Sequence, residues 1–374
     1  MITVRRQALQ NALRKVCSII PPRPIHPILG CVLIQTHSGQ CTLQSNALDM
    51  AISCTLPPSE CQISEDATAA VPANVLKTLA ATCQDDTLHF AVAEQAVYIT
   101  GQSSQFKVAT ADPTAFPLAE IDCADGALEV PVIDMDRLYR HTQYATAKAD
   151  VRSVLDSILL EWDQTTSRLI AVATDGSHLA KDETYASHSG PSAFQKDGRA
   201  LVPKHAWDTL AHLFAQQEGF VKLRADENRL YIEHELTKTK YTCALSDGKY
   251  PPWRAVGAGK PVNCVLHFQA GELRQKTREA AVLLQQPGAL GLNWQIQDGC
   301  VRIYTETELG EADITIPVDY HGDLMMVRLH GYRLRNFLAS LDEVDMVEVH
   351  IADPQSPVIF HVGDTYKYII MPMA

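Results

Sequence analysis

At 374 residues, 46% of them hydrophobic and 20% charged, the chain has the composition of a folded globular protein and is too long for one ordinary core, so two or three domains are expected. No segment approaches the roughly 18–20 consecutive apolar residues that span a bilayer, and polar residues interrupt the opening stretch, MITVRRQALQNALRKV, too often for a secretory signal; a cytoplasmic protein with no membrane partner is expected. The net charge of −12 counts against a nucleic-acid partner unless the charge is unevenly placed.

In chain order, the stretch 5–17 reads as a helix with Leu9, Leu13 and Val16 on one stripe and Arg14 and Lys15 projecting away from it. A second helix is predicted over 72–83. Pro72 suits its opening turn, where the missing N–H would be unpaired anyway; Val75, Leu76 and Leu79 make its buried stripe and Lys77 falls on the other side. Period-two alternation then predicts a hairpin, Leu88, Phe90 and Val92 followed by Val97 and Ile99. After the Pro-rich join DPTAFPLAEIDCADG the plan recurs: helices over 132–148 and 203–215, and a hairpin of Val221 and Leu223 with Leu230 and Ile232. After PPWRAVGAGKP it recurs again: helices over 270–284 and 328–341, a hairpin of Val347, Val349 and Ile351 with Val358, Phe360 and Val362, and an apolar end, TYKYIIMPMA. A plan repeated every 125 residues or so predicts three similar α+β domains.

The charge follows the same plan. The six helical stretches hold 15 basic and 5 acidic residues, leaving 17 basic and 39 acidic in the remainder. Helices gathered on one side of a curved sheet would line a concave basic surface, for which phosphates are the complement. Other chemistries find little support. The ten cysteines are scattered without a CxxC pair, so neither a disulfide framework nor a zinc site is expected, only reduced and mostly buried thiols. GAGKP at 257–261 lacks the spacing of a phosphate loop and the Ser or Thr after Lys260. Ser177 and His178 are adjacent, point to opposite faces if extended, and have no GxSxG elbow. No catalytic residue, metal or cofactor is expected.

The segments RPIHPILGCVLIQ (23–35), ADVRSVLDSILLE (149–161), AVATDGSHLA (171–180), LVPKHAWDTL (201–210), SDGKYPPWRAV (246–256) and the terminal YIIMPM together resemble the bacterial sliding clamp family, the DNA polymerase III beta subunit, over the whole length. The resemblance implies three clamp domains, 1–122, 123–254 and 255–374, and a head-to-tail homodimer closing a six-domain ring around double-stranded DNA without base readout. Helices would line the lumen and sheets the outside. It implies a non-enzymatic processivity factor that tethers a replicative polymerase and is opened by a clamp loader. The alternative is a divergent clamp copy serving repair or a mobile element.

By the same resemblance, partner proteins insert a short motif into a pocket of Leu155, Thr174, Gly176, His178, Leu179, Pro251, Val256, Ile370, Met371, Pro372 and Met373. Arg23, Lys204 and His205 carry over as DNA contacts, and helix placement adds Arg14, Lys15, Lys77, Arg137, Arg140, Arg274, Lys276, Arg333 and Arg335. Phe106 and Val108 are expected to meet Val282 and Leu283 of the other copy at the ring joint. The chain departs from the family pattern at Ser177 and His178, where the second position usually carries Arg, at Asn74 and Ala255, each standing where an Arg is common, and at Ala374. His178 is therefore expected to supply a polar, pH-dependent share of peptide binding.

Overall fold

The computed structural model describes residues 1–123, 126–148, 154–188, 193–257, 259–284 and 290–373; Ala374 and parts of the motif segments at 149–161 and 257–261 lie outside the described residues. All six expected helices form: α1 Arg6–Val16, α2 Ala73–Thr82, α3 Val132–Thr142, α4 Lys204–Phe214, α5 Ala270–Ala280 and α6 Gly331–Ala339. Each begins at the residue after a strand ends, the strands being Ile2–Arg5, Thr68–Pro72, Leu128–Pro131, Arg199–Pro203, Cys264–Gln269 and Met325–His330. This strand-into-helix step, made twice in each third of the chain, is the structural form of the repeat.

Two details differ from the sequence reading. Pro72 closes its strand with extended geometry (φ −53°, ψ 120°) instead of sitting in the first turn of α2. Val75 is 38% exposed, while Ala73, Leu76, Leu79 and Ala80 are buried. The covered stripe runs at helical spacing through 73, 76 and 80, and Val75 lies one position off it.

The chain forms two compact units. The first comprises Met1–Ile133, Ala186–Gly198 and Asp208–Leu245, the second Asp134–Tyr185, Arg199–Trp207 and Ser246–Ala374. These units follow the sheets, whereas the boundaries near 122 and 254 follow the sequence repeat. In the first unit a nine-stranded sheet joins two repeats through Thr239–Ala244 paired with Met50–Leu56, from Thr239 opposite Cys54 to Cys243 opposite Met50. Leu9, Leu13 and Val16 of α1 are buried, and the helix packs on Met50–Leu56, Gln40–Asn46 and α2. A five-stranded sheet ends at the edge strand Gln105–Ala109.

In the second unit an eight-stranded sheet runs Arg199–Pro203, Ser157–Asp163, Arg168–Thr174, His178–Tyr185, Tyr366–Ile370, Val358–Val362, Met346–Ile351, Cys264–Gln269. The terminal strand thus closes the gap between strands of the second and third repeats, with His178 opposite Ile370 and Lys181 opposite Lys367. A four-stranded sheet has Gly310–Pro317 at one edge. All ten cysteines are free, seven of them buried and Cys17, Cys83 and Cys300 partly so. Among the described residues no helix is long and apolar enough to cross a membrane.

A buried polar group ties α3 to the terminal strand. Asp182 is fully buried and accepts from Arg137 Nη1 at 2.6 Å and pairs with His141 Nδ1 at 2.8 Å. His141 stacks on Tyr366 with ring centroids 3.9 Å apart, and the Tyr366 hydroxyl meets those of Tyr144 at 2.6 Å and Ser340 at 3.1 Å. Burial opposes the Asp182 charge, but the hydrogen bond and charge of His141 and the charge of Arg137 prevail and hold its carboxyl below the usual range. Replacing Asp182 with Ala strands these donors and is expected to cost about 2–4 kcal/mol of unfolding free energy, measured by urea denaturation at pH 7. A carboxyl whose pKa is depressed on folding stabilises above its unfolded value. The margin between wild type and variant should therefore persist above about pH 4 and narrow as the pH falls below it.

Candidate functional site

The terminal strand has two faces, and they do different work. Leu179 and Ile369 are directly opposite each other and belong to a buried apolar cluster with Leu159, Ile170, Val172 and Leu201. Val154, Tyr250, Trp253 and Ile359 pack against that cluster while staying partly exposed. The alternate residues turn the other way. Tyr368 stacks on Phe337 of α6 at 4.5 Å with rings 6° from parallel, and His178 and Ile370 share that inward face and are buried. Beyond the strand, Met371 N donates to Ser177 O at 3.0 Å and Met373 N to Arg328 O at 2.8 Å. Met371 and Met373 are thus fixed by backbone bonds, with Met371 42% exposed. Pro251 and Val256, in the segment whose Tyr250 and Trp253 pack on the cluster, are exposed, and Leu155, Pro372 and Met373 are half-buried.

The turn that receives Met371 is set by Asp175. Its Oδ1 accepts from the backbone N–H of Ser177 and His178 at 2.8 and 3.1 Å and from Ser177 Oγ at 2.6 Å. Its Oδ2 takes Arg333 Nη2 at 2.8 Å and lies 3.3 Å from His178 Nε2. Burial alone would raise this carboxyl; the bonds from His178 and Ser177 outweigh it and hold the group far below the usual range. Gly176 supplies the positive φ of 92° that the turn requires, and Thr174 Oγ1 closes it by accepting from Gly176 N and donating to His178 O.

Several expected side chains are placed otherwise than the sequence suggested. His178 cannot present its ring to a peptide on the outward face: it is pinned between Asp175 and the Tyr368 hydroxyl, 3.1 Å from Nδ1. Ile370 likewise serves the inner core. Sequence reasoning missed Ile369, Val154, Tyr250 and Trp253, although the parity of the strand, with Leu179 as reference, carried the signal for Ile369. Val108 is 8% exposed and belongs to the first unit's own core, whereas Phe106 on the same edge strand is 38% exposed. Val282 is 58% exposed, and Leu283 lies beside the start of the edge strand Gly310–Pro317.

Among the basic residues, Arg137, Arg274 and Arg333 are committed within the chain. Arg137 also pairs with Asp134 at 3.2 Å. Arg274 donates to Leu338 O at 2.9 Å and Leu341 O at 2.5 Å, closing the end of α6, and Arg333 holds Asp175. A guanidinium carries five donors in a planar fork, and buried carboxylates and unpaired helix-end carbonyls draw it inward. Lys276 pairs with Glu279, and Arg335 lies over the Tyr332 ring. Arg14, Arg23, Lys77 and His205 are exposed.

Two clefts gather others. In the first unit a cleft of about 940 Å³ brings Arg14 and Lys15 together with Arg5 and His212; Lys15 donates to Thr239 Oγ1 at 3.1 Å, and burial lowers its pKa despite the nearby Cys54. In the second unit one of about 630 Å³ brings Arg140 and Lys204 together with Lys148, Tyr144 and Ser340.

Comparison with known proteins matches this architecture to one family. Residues 1–120 match the model of the DNA polymerase III beta subunit, N-terminal domain, and residues 129–252 that of its central domain. The chain belongs to the DNA polymerase III beta subunit family. Similar full-length relatives are the beta sliding clamps of Pseudomonas putida, 27% identical over 99% of both chains, and Escherichia coli K12, 25% identical over 99% of both. The fold is that of the DNA polymerase III beta subunit of Pseudomonas aeruginosa (TM-score 0.88, 24% identity, 100% of both chains) and the sliding clamp of Bacillus subtilis (TM-score 0.90, 17% identity, 100% of this chain and 98% of that one). The function of the chain is that of a DNA sliding clamp, and full-length likeness to beta sliding clamps does not favour the alternative of a divergent copy.

For this clamp the geometry makes His178 a support of the terminal strand. His178→Ala opens a cavity beside Tyr368 and is expected to lower unfolding stability by about 1–3 kcal/mol, read by denaturation; His178→Asn, which keeps a polar group at the turn, should recover part of the loss.

Proposed function

We propose that two copies of this chain close head to tail into a ring around duplex DNA, and that partner proteins dock a short apolar motif on the outward face of the Leu179–Ile369 ladder. The observation that carries the reading is the terminal strand itself. Its inward residues are spent on the core, and its outward residues, with Met371 and Met373 beyond them, border an apolar surface flanked by Leu155, Pro251 and Val256. Methionine's flexible, polarizable side chain suits a surface that accepts more than one partner. The polar groups of the site, Thr174, Asp175 and His178, are spent on the turn, so peptide affinity rests on apolar burial. A replicative polymerase, the clamp loader and other proteins carrying such a motif are the partners, and no chemical step is assigned.

The lumen reading rests on charge. Basic residues concentrate on the helices of an acidic chain, and the cleft residues Arg14, Lys15, Arg140, Lys148 and Lys204, with exposed Arg23, Lys77 and His205, form a phosphate-directed set without base readout. Phe106 and Val282, exposed at or near sheet edges, are the apolar contacts of the ring joint, with Val108 and Leu283 supporting them. Such a protein works in the cytoplasm, on the nucleoid.

Retention should accordingly be topological. Loaded protein should remain on closed circular DNA and leave linear DNA, and Arg23→Glu with Lys204→Glu should impair loading while leaving the oligomeric state unchanged by light scattering; tight binding to a short linear duplex without a loader would contradict the ring. On the pocket, Met371→Ala with Met373→Ala should weaken a Gln- and Leu-containing motif peptide by about tenfold or more in calorimetric titration. Unchanged affinity would leave the apolar end as a sheet strand and nothing more.

A further inference from the structure

The outer face of the eight-stranded sheet carries a group of side chains that the clamp function does not use. His267, Glu348 and His361 stand directly opposite one another on three adjacent strands, Cys264–Gln269, Met346–Ile351 and Val358–Val362. His350, two residues beyond Glu348, points to the same face. The carboxylate of Glu348 already bridges two imidazoles: Oε2 lies 3.2 Å from His267 Nε2, and Oε1 bonds His350 Nε2. The ring of His361 lies 4.7 Å from that of His350, centroid to centroid. Three imidazoles and one carboxylate are therefore brought into one patch of the sheet face by the register of three strands.

We propose that His267, Glu348, His350 and His361 form a surface site for a divalent transition metal, Zn²⁺ in the first instance. Three nitrogen donors and one carboxylate are a borderline-soft set that fits Zn²⁺ or Cu²⁺ and not Mg²⁺ or Ca²⁺, which take oxygen ligands. Among the described residues no such group is already gathered in a metal-holding arrangement; Glu348 occupies the space between the imidazoles, and binding requires the side chains to turn. Their exposure permits it, the side chains of His267, Glu348 and His350 being 60, 42 and 25% exposed.

Burial, then the charge of Lys367 and the neighbouring His350, push His361 below the usual histidine range, while hydrogen bonds from His350 and His267 hold Glu348 ionised. Lys367, opposite His361 on the terminal strand, repels a cation, whereas the next lysine in the row, Lys181, is paired with Glu183 at 2.5 Å. Glu348 offsets the repulsion from Lys367. A bound metal would clamp the sheet's edge strand, Cys264–Gln269, to its two neighbours.

The test is titration of EDTA-treated full-length chain with Zn²⁺, and separately with Mg²⁺, at pH 7.5. One Zn²⁺ and no Mg²⁺ per chain are expected. His267→Gln with His350→Gln should weaken Zn²⁺ by more than the roughly 10- to 100-fold that loss of an outer-shell partner costs, with an unchanged melting curve in EDTA. Lys367→Gln should tighten binding, and replacing the partly exposed Cys17, Cys83 and Cys300 with Ser should leave it unchanged. Binding that survives the histidine changes, or vanishes with the cysteine changes, would place the metal elsewhere; no binding below millimolar Zn²⁺ would remove the site. None of these outcomes bears on the clamp reading, so the two stand or fall separately.

Discussion

The ladder between His178–Tyr185 and Tyr366–Ile370 is the interaction on which the second unit depends. Without it, strands of the second and third repeats would present two open sheet edges, each a row of unpaired backbone groups. Closing that gap with the last strand satisfies both edges at once and gives one eight-stranded sheet. It also decides where the chain end lies. The backbone of Met371 is bonded to the turn at Ser177, and the turn is held by Asp175, so a feature of the third repeat and a feature of the second become one surface.

That arrangement spends polar groups on structure and leaves apolar groups at the proposed docking face. Asp175 satisfies two backbone N–H groups, a hydroxyl and the Arg333 guanidinium; such a carboxylate is costly to disturb because every donor around it would be stranded. Asp182 does the same for α3. Both networks lie on the inner side or at the rim, which leaves the part of the outward face around Leu179 and Ile369 apolar. The joint in the first unit, Thr239–Ala244 against Met50–Leu56, solves the same edge problem with a different pair of strands. Sheets continuous across repeats explain why the compact units do not coincide with the sequence repeat.

Much of the fold was legible beforehand because periodicity reports burial directly. Leu9, Leu13 and Val16 at helical spacing, and Val347, Val349 and Ile351 at spacing two, could satisfy their burial in only one kind of element. Boundaries and single side chains were less so. Val75 looked like part of a stripe because it is apolar, yet it sits one position off the covered line. Arg137, Arg274 and Arg333 read as outward charges because helix placement counts the Cα position, while a long guanidinium side chain goes where a buried carboxylate or a helix-end carbonyl waits.

The sequence by itself determined the helices and hairpins, the repeat, the concentration of positive charge on the helices and, through motifs in family order, the family. These are properties of local spacing and composition. Only the tertiary structure decided that Ile369 faces outward and Ile370 inward, that His178 is buried between Asp175 and the Tyr368 hydroxyl as a strut of the turn, and that His267, Glu348, His350 and His361 share one patch. Each of those depends on the register between strands distant in the chain, and a shift of one residue in that register would reverse every face.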